Sequence, residues 1–69
     1  MTTGFKKISI KAARIDKGLS QLESAEALGI ARGTLSKWEN GQSYPDVTFL
    51  DKFAELYEIS RDQLCFKKN

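Results

Sequence analysis

Glycines at regular intervals limit this chain to short helices over most of its length. Gly18, Gly29 and Gly41, followed by Pro45, separate segments of ten to fifteen residues. Within these segments the apolar residues recur with a helical period, and Val, Ile and Thr are too sparse and too poorly alternated for strands. The sequence therefore predicts an all-α fold without a sheet.

Most of the predicted helices carry a start or stop signal. Ser20 and Glu23 form a capping box, in which the serine hydroxyl and the glutamate carboxylate each accept a hydrogen bond from the other residue's amide. Ser60 and Gln63 repeat this spacing and predict a short fifth helix. A glycine such as Gly18 provides the left-handed conformation at which helices commonly end. The first four predicted helices cover residues 8–17, 21–28, 32–40 and 48–57.

A chain of 69 residues has room for one small domain. We divide it into an N-terminal arm (residues 1–7), a compact five-helix domain (residues 8–66) and a polar tail (residues 67–69). A domain of this size leaves little room for an enclosed pocket. We therefore expect no small-molecule ligand.

Composition excludes several classes of protein. The longest apolar stretches span three or four residues, and Lys6 and Lys7 precede no long apolar run, so we expect neither a membrane span nor a signal peptide. The chain has no histidine and a single cysteine, Cys65, which argues against a zinc site and removes the commonest general base. We expect a cytoplasmic protein that is not an enzyme and has no cofactor.

The charge is unevenly distributed along the chain. The net charge is only +2, but residues 1–44 hold seven basic and four acidic side chains, whereas residues 45–69 hold four basic and five acidic ones. Such a difference can arise by chance. It indicates an anionic partner only if the excess basic residues share one face.

The third predicted helix has two contrasting faces. On a helical wheel, Leu35 and Trp38 share one side, so Trp38 is predicted to lie in the core. The opposite side has two cations, small residues and no carboxylate, as expected for a helix that enters the major groove of DNA, although a merely solvated face is the alternative. That side comprises Arg32, Gly33, Ser36, Lys37 and Asn40.

The second and third predicted helices are joined by a three-residue break at residues 29–31, which is the sequence form of a helix-turn-helix. An ordinary helical hairpin is the alternative. The N-terminus of the second helix, with Gln21 beside it, suits a DNA phosphate. Asn40, Ser43 and Tyr44 follow the third helix, where they could contact the neighbouring DNA backbone, and packing of the Tyr44 ring in the loop is equally consistent with its position.

Several separately spaced motifs resemble the phage repressor and Cro type of helix-turn-helix protein over about residues 8–64. The resemblance implies a five-helix domain that binds operator-like double-stranded DNA as a dimer and represses transcription. The motifs are Gly18-Leu19-Ser20-Gln21, Ala25, Leu28-Gly29-Ile30, Leu35-Ser36-Lys37-Trp38-Glu39-Asn40-Gly41, Tyr44-Pro45-Asp46, Leu50 and Ala54-Glu55-Leu56-Tyr57.

By position, the resemblance implies a role for individual residues. Gln21 would bind a phosphate and Asn40 the DNA backbone. A buried ion pair would join Arg14 to Glu39. Bases or nearby phosphates would be contacted by Arg32, Gly33, Thr34 and Lys37.

Three departures from the family pattern qualify these roles. Ala31 stands where a serine or threonine usually caps the third helix, which removes a hydroxyl worth about 1 kcal/mol. Leu22 and Ser24 look exchanged, so that Ser24 would approach the core and Leu22 would be exposed. Gly33 has no side chain with which to read a base.

Two functions follow from this pattern. The first is sequence-specific DNA binding by a homodimer, because so small a chain cannot span two half-sites alone. Leu22, Leu64 and Phe66 are candidate dimer contacts. The alternative is a protein-interaction module, an antitoxin or adaptor that uses the same fold.

Overall fold

A computed structural model describes residues 7–65, and four α-helices account for most of them. Residues 1–6 of the predicted arm, Phe66 and the predicted tail (residues 67–69) lie outside the described residues. No helix in the described part of the chain is both long and apolar enough to cross a bilayer. The helices are α1 (Ile10–Lys17), α2 (Gln21–Leu28), α3 (Arg32–Glu39) and α4 (Thr48–Tyr57), and a 3-10 turn, Arg61–Gln63, follows them.

The prediction of five helices without a sheet is wrong at the two ends of the domain. A short strand before α1, β1 (Ile8–Ser9), pairs in parallel with β2 (Leu64–Cys65), with Ile8 opposite Leu64. The Ser60 hydroxyl accepts a hydrogen bond from the Asp62 amide and not from the Gln63 amide, and a single 3-10 turn forms there before the chain extends. Burial of Leu64 against the core stabilises this extended segment. The prediction of Leu64 as a dimer contact is therefore wrong, because its side chain is only 6% exposed.

Helix α1 begins two residues later than predicted because Ser9 caps it. The Ser9 hydroxyl accepts a hydrogen bond from the Ala12 amide at 3.1 Å, which places Ser9 outside the helix. Ile8, predicted to be helical, therefore lies in β1. The local capping signal and the pairing with β2 together set this end of the helix.

Aromatic rings from α3 and α4 form the centre of the core. The Trp38 ring meets the rings of Phe49 and Phe53 edge-on, at centroid distances of 5.1 and 6.1 Å, and Phe53 contacts Tyr57 at 5.7 Å. Trp38 is only 8% exposed, which confirms its predicted position in the core. Edge-to-face contacts of this kind stabilise by more than the burial of area alone, so α3 is held firmly against α4.

Ser24 lies in the core and Leu22 on the surface, as predicted from their exchanged order. Ser24 is fully buried, whereas Leu22 is 53% exposed. Inside, the hydroxyl groups of Ser24 and Tyr57 are both buried, and neither makes a hydrogen bond of ordinary geometry within the described part of the chain. Two imperfectly satisfied hydroxyls therefore lie inside the apolar core.

We expect the domain to lose stability when the pH rises above about 10. Burial raises the pKa of the Tyr57 phenol, and the nearby Glu39 carboxylate adds to the rise, while a weak hydrogen-bonding contact with the Ser24 hydroxyl and the positive charge of Arg14 lower it. The phenol therefore keeps its proton to a higher pH when folded than when unfolded, so unfolding releases a proton above the ordinary pKa and stability falls. Denaturant titrations of wild type and Tyr57→Phe from pH 8 to 11 measure this, and the fall should be shallower in the variant.

The matched control for Tyr57 is Tyr44→Phe, since Tyr44 is 47% exposed. This control should follow the wild-type dependence on pH. Equal slopes for wild type, Tyr44→Phe and Tyr57→Phe above pH 10 would contradict the prediction.

Candidate nucleic-acid interface

Helices α2 and α3 are joined by a tight turn at Gly29. Gly29 has φ 75°, a left-handed conformation that glycine adopts at little cost. Its amide donates to the Glu26 carbonyl, and the next amide, that of Ile30, donates to the Ala25 carbonyl at 3.0 Å. These two bonds close the end of α2 and reverse the chain within three residues, so that α3 packs against α2.

Helix α3 begins without a side-chain cap. Ala31 occupies the capping position and makes no side-chain hydrogen bond there. Its carbonyl accepts hydrogen bonds from the Thr34 amide at 3.0 Å and the Leu35 amide at 3.2 Å, so the backbone alone starts the helix. No hydroxyl is therefore present at this position to cap the helix or to donate to a phosphate.

The two faces of α3 are separated by burial as the helical wheel predicts. Leu35 is fully buried, and Trp38 and Glu39 are 8% and 5% exposed. Thr34 is half-buried, and so is Ser36, which the helical wheel predicts on the outward side. The exposed residues of the helix and its C-terminal cap are Arg32, Gly33, Lys37 and Asn40.

The one carboxylate in α3, Glu39, is buried and paired with Arg14. The Arg14 Nε lies 2.8 Å from Glu39 Oε2, and the Arg14 Nη2 donates to Oε1 at 3.3 Å. The glutamate side chain is 1% exposed. Because the guanidinium neutralises this charge inside the protein, no carboxylate of α3 opposes Arg32 and Lys37 on the outward face.

The ion pair connects three segments of the domain. Arg14 projects from α1, Glu39 from α3, and the Arg14 Nη1 also donates to the backbone carbonyl of Leu19 at 2.8 Å. This bidentate arrangement, with an added carbonyl, satisfies much of the guanidinium's hydrogen-bonding capacity. The pair therefore holds the C-terminal end of α3 at a defined position relative to α1 and the start of α2.

Gln21 lies at the start of α2 and makes a contact that the sequence did not reveal. Its Nε2 donates to Glu39 Oε1 at 3.1 Å, so the amide that was predicted to bind phosphate also belongs to the network around the buried ion pair. Nothing in the local sequence signals this contact, because residues 21 and 39 come together only when α2 packs on α3.

The capping box also uses part of the hydrogen-bonding capacity at the start of α2. The Ser20 hydroxyl accepts from the Glu23 amide at 3.0 Å, and Glu23 Oε1 accepts from the Ser20 amide at 2.8 Å. A phosphate at this end would therefore meet the amides of Gln21 and Leu22. The predicted phosphate site is thus smaller than the sequence alone indicated.

The segment after α3 presents the remaining predicted residues. Gly41 has φ 79°, and the Gln42 amide donates to the Lys37 carbonyl at 2.9 Å, so the chain turns directly after the helix. Ser43 is half-buried and Tyr44 is 47% exposed. We group the exposed side chains of Arg32, Lys37 and Asn40 with residues 41–44 as one candidate surface, called the α3 face below.

Comparisons with known proteins point to one family. The profile of the helix-turn-helix family matches residues 10–64. The chain is 40% identical over 58 residues to the HTH-type transcriptional regulator ImmR of Bacillus subtilis, an alignment that covers 84% of the chain and 46% of that relative. It is 34% identical over 61 residues to the cryptic phage CTXphi transcriptional repressor RstR of Vibrio cholerae, which covers 86% of the chain and 54% of the relative.

A third relative has a different printed function. The antitoxin PezA of Streptococcus pneumoniae is 36% identical over 52 residues, which covers 75% of the chain and 33% of that protein. The chain thus spans about half or less of the length of these three relatives. No solved structure matches the chain.

Proposed function

The chain belongs to the helix-turn-helix family, and from this premise we propose that it binds double-stranded DNA sequence-specifically and regulates transcription, as a repressor. In this proposal α3 lies in the major groove, which admits one α-helix. The relatives include a transcriptional regulator and a phage repressor. Since the proposed ligand is DNA and these relatives come from bacteria and a phage, we propose that the chain acts in the cytoplasm.

The observation that carries the proposal is the charge of the α3 face. Arg32 and Lys37 are exposed, while Glu39 is buried and neutralised by Arg14. Arginine and lysine donate hydrogen bonds to guanine O6 and N7, and they also neutralise phosphates. Exposed cations together with a buried carboxylate favour a face that binds a polyanion over a face that is merely exposed to water.

We propose that two copies of the chain bind together. A symmetric homodimer would place its two α3 helices about 34–36 Å apart, one turn of DNA, so that each reads one half-site. Gln21, Asn40, Ser43 and Tyr44 would contact phosphates on either side of α3, which sets the register without selecting a sequence. Repression would follow from occupation of a site that the polymerase needs.

Selection from random duplexes, followed by titration at two salt concentrations, tests the proposal. We expect the wild-type chain to enrich one sequence and to bind it at least about 100-fold more tightly than a scrambled duplex. Between 50 and 200 mM salt the affinity should fall about tenfold or more, because binding to phosphates releases counterions. Failure to enrich any sequence would overturn the proposal.

A protein-interaction role is the second candidate. Leu22 is 53% exposed, and one relative is an antitoxin. An apolar contact through Leu22 would depend little on salt, whereas binding through Arg32 and Lys37 depends strongly on it. A chain that acts only through Leu22 would show no salt-dependent binding to the duplex in the same titration, and the cationic α3 face favours DNA.

A further inference from the structure

Gly33 is a glycine that the fold itself does not require. It lies in the first turn of α3, and among the glycines of residues 7–65 only Gly18, Gly29 and Gly41 have a positive φ. A Cβ added at position 33 would meet no heavy atom within 4 Å. Any small side chain could therefore occupy this position in the isolated domain.

Glycine at such a position destabilises the helix. It loses more backbone entropy on folding than alanine does, and alanine is the better helix former. The described part of the chain offers no compensation at Gly33, since its backbone is helical and the space beside its Cα is open. A close contact between this backbone and a bound molecule would offset the cost.

The position of Gly33 on the helix indicates where that contact would be made. At about 100° per residue, Gly33 lies between Arg32 and Lys37 around the helix axis and roughly opposite Leu35 and Trp38. Leu35 and Trp38 face the core, so Gly33 lies near the middle of the exposed side. Ser36 and Asn40 also lie on this side of the helix, and Gly33 is the one position there at which α3 presents backbone without a side chain.

We infer that Gly33 is a specificity-determining residue because its Cα packs directly on base edges in the major groove. This inference rests on the proposed function. Without a side chain at position 33, the helix axis can come closer to the bases. The guanidinium of Arg32 and the ammonium of Lys37 can then reach the base edges. A Cβ would hold the helix away from the bases and lengthen the hydrogen bonds made on both sides of it, which weaken steeply with distance and angle.

The inference predicts opposite effects of Gly33→Ala on stability and on binding. The melting temperature should rise by about 2–6 °C, because alanine favours the helix. Affinity for the selected duplex should fall at least about tenfold, because the added methyl group meets base edges. Affinity for a scrambled duplex should change less than about twofold, since nonspecific binding depends on phosphates rather than on base edges.

The experiment measures Kd and melting temperature for wild type, Gly33→Ala and Gly33→Leu on the selected and scrambled duplexes. Gly33→Leu should lose more affinity for the selected duplex than Gly33→Ala. Ile15→Ala is the control, because Ile15 is an uncharged, 58% exposed residue of α1, and its replacement should leave both affinities unchanged. Circular dichroism verifies that each variant is folded.

Each outcome decides the inference. Selective loss of binding in a more stable Gly33→Ala protein supports it. Unchanged or tighter binding to the selected duplex overturns it, as does an equal loss on both duplexes or a lower melting temperature. If the wild-type chain enriches no sequence, the proposed function fails and this inference fails with it, whereas an enriched sequence that Gly33→Ala still binds fully overturns the inference alone.

Discussion

Glu39→Ala is expected to lower the free energy of unfolding by about 3–5 kcal/mol. The side chain of Glu39 is 1% exposed and receives two hydrogen bonds from Arg14 and one from Gln21. Its removal leaves the Arg14 guanidinium, in a side chain that is only 10% exposed, without a counter-charge. Since a domain of this length has a total stability of about 3–10 kcal/mol, the loss approaches complete unfolding. Chemical denaturation at low temperature measures it.

The exposed ion pair between Arg61 and Asp51 provides the matched control. Its side chains are 52% and 67% exposed, and its N–O distance of 2.9 Å is similar to that of the buried pair. Because solvent screens exposed charges, Asp51→Ala should cost less than about 1 kcal/mol. Similar losses for Glu39→Ala and Asp51→Ala would contradict the argument from burial.

A double substitution separates the cost of an unpaired charge from the value of the pair. Arg14→Met with Glu39→Leu replaces both charges by apolar groups of similar size, and buried pairs replaced in this way often lose little stability. The double variant should therefore be more stable than Glu39→Ala alone. It would also break the contact with Gln21, so its effect on DNA binding would show what that network contributes to the position of α3.

Arg32→Ala and Lys37→Ala are each expected to weaken binding to the selected duplex by about 1–3 kcal/mol, or about five- to 150-fold in Kd. Both side chains are exposed on the α3 face, so the melting temperature should change little. The double variant should lose at least about 30-fold. Fluorescence anisotropy with a labelled duplex measures these affinities.

Arg61→Ala controls for the loss of positive charge. It removes the same unit of charge from a residue that lies in the 3-10 turn after α4 and bonds to Asp51. Its effect on Kd should be small. If the Arg32→Ala, Lys37→Ala double variant kept wild-type affinity, the placement of α3 in the groove would be wrong.

Local signals in the sequence were sufficient to predict most helices. The capping box of Ser20 and Glu23 forms as predicted, and Gly18 and Gly29 adopt left-handed conformations where α1 and α2 end. No glycine marks the end of α4 in the sequence. In the structure Glu58 takes the left-handed conformation there, with φ 55°. An ion pair of 2.8 Å between Glu58 and Lys17 joins the ends of α4 and α1 in the folded protein.

Helical periodicity was also sufficient to separate the two faces of α3. The apolar side chains of Leu35 and Trp38 are removed from water when the helix packs, whereas the charged side chains of Arg32 and Lys37 stay hydrated. This difference orients the helix. The DNA contacts assigned to these residues stay predictions until binding is measured. The hydrogen bond from Gln21 to Glu39 could not be predicted, because it depends on the distance between two helices.

The amino-acid sequence by itself determined where α2, α3 and α4 start, where α1 and α2 stop, and which side of α3 is apolar, because each of these properties depends on residues within one or two turns. Tertiary structure alone decided the pairing of β1 with β2, the placement of the Ser24 hydroxyl next to the Tyr57 phenol, and the contact between Gln21 and the ion pair. These contacts join residues distant along the chain, and their free energy is gained only after the helices have packed.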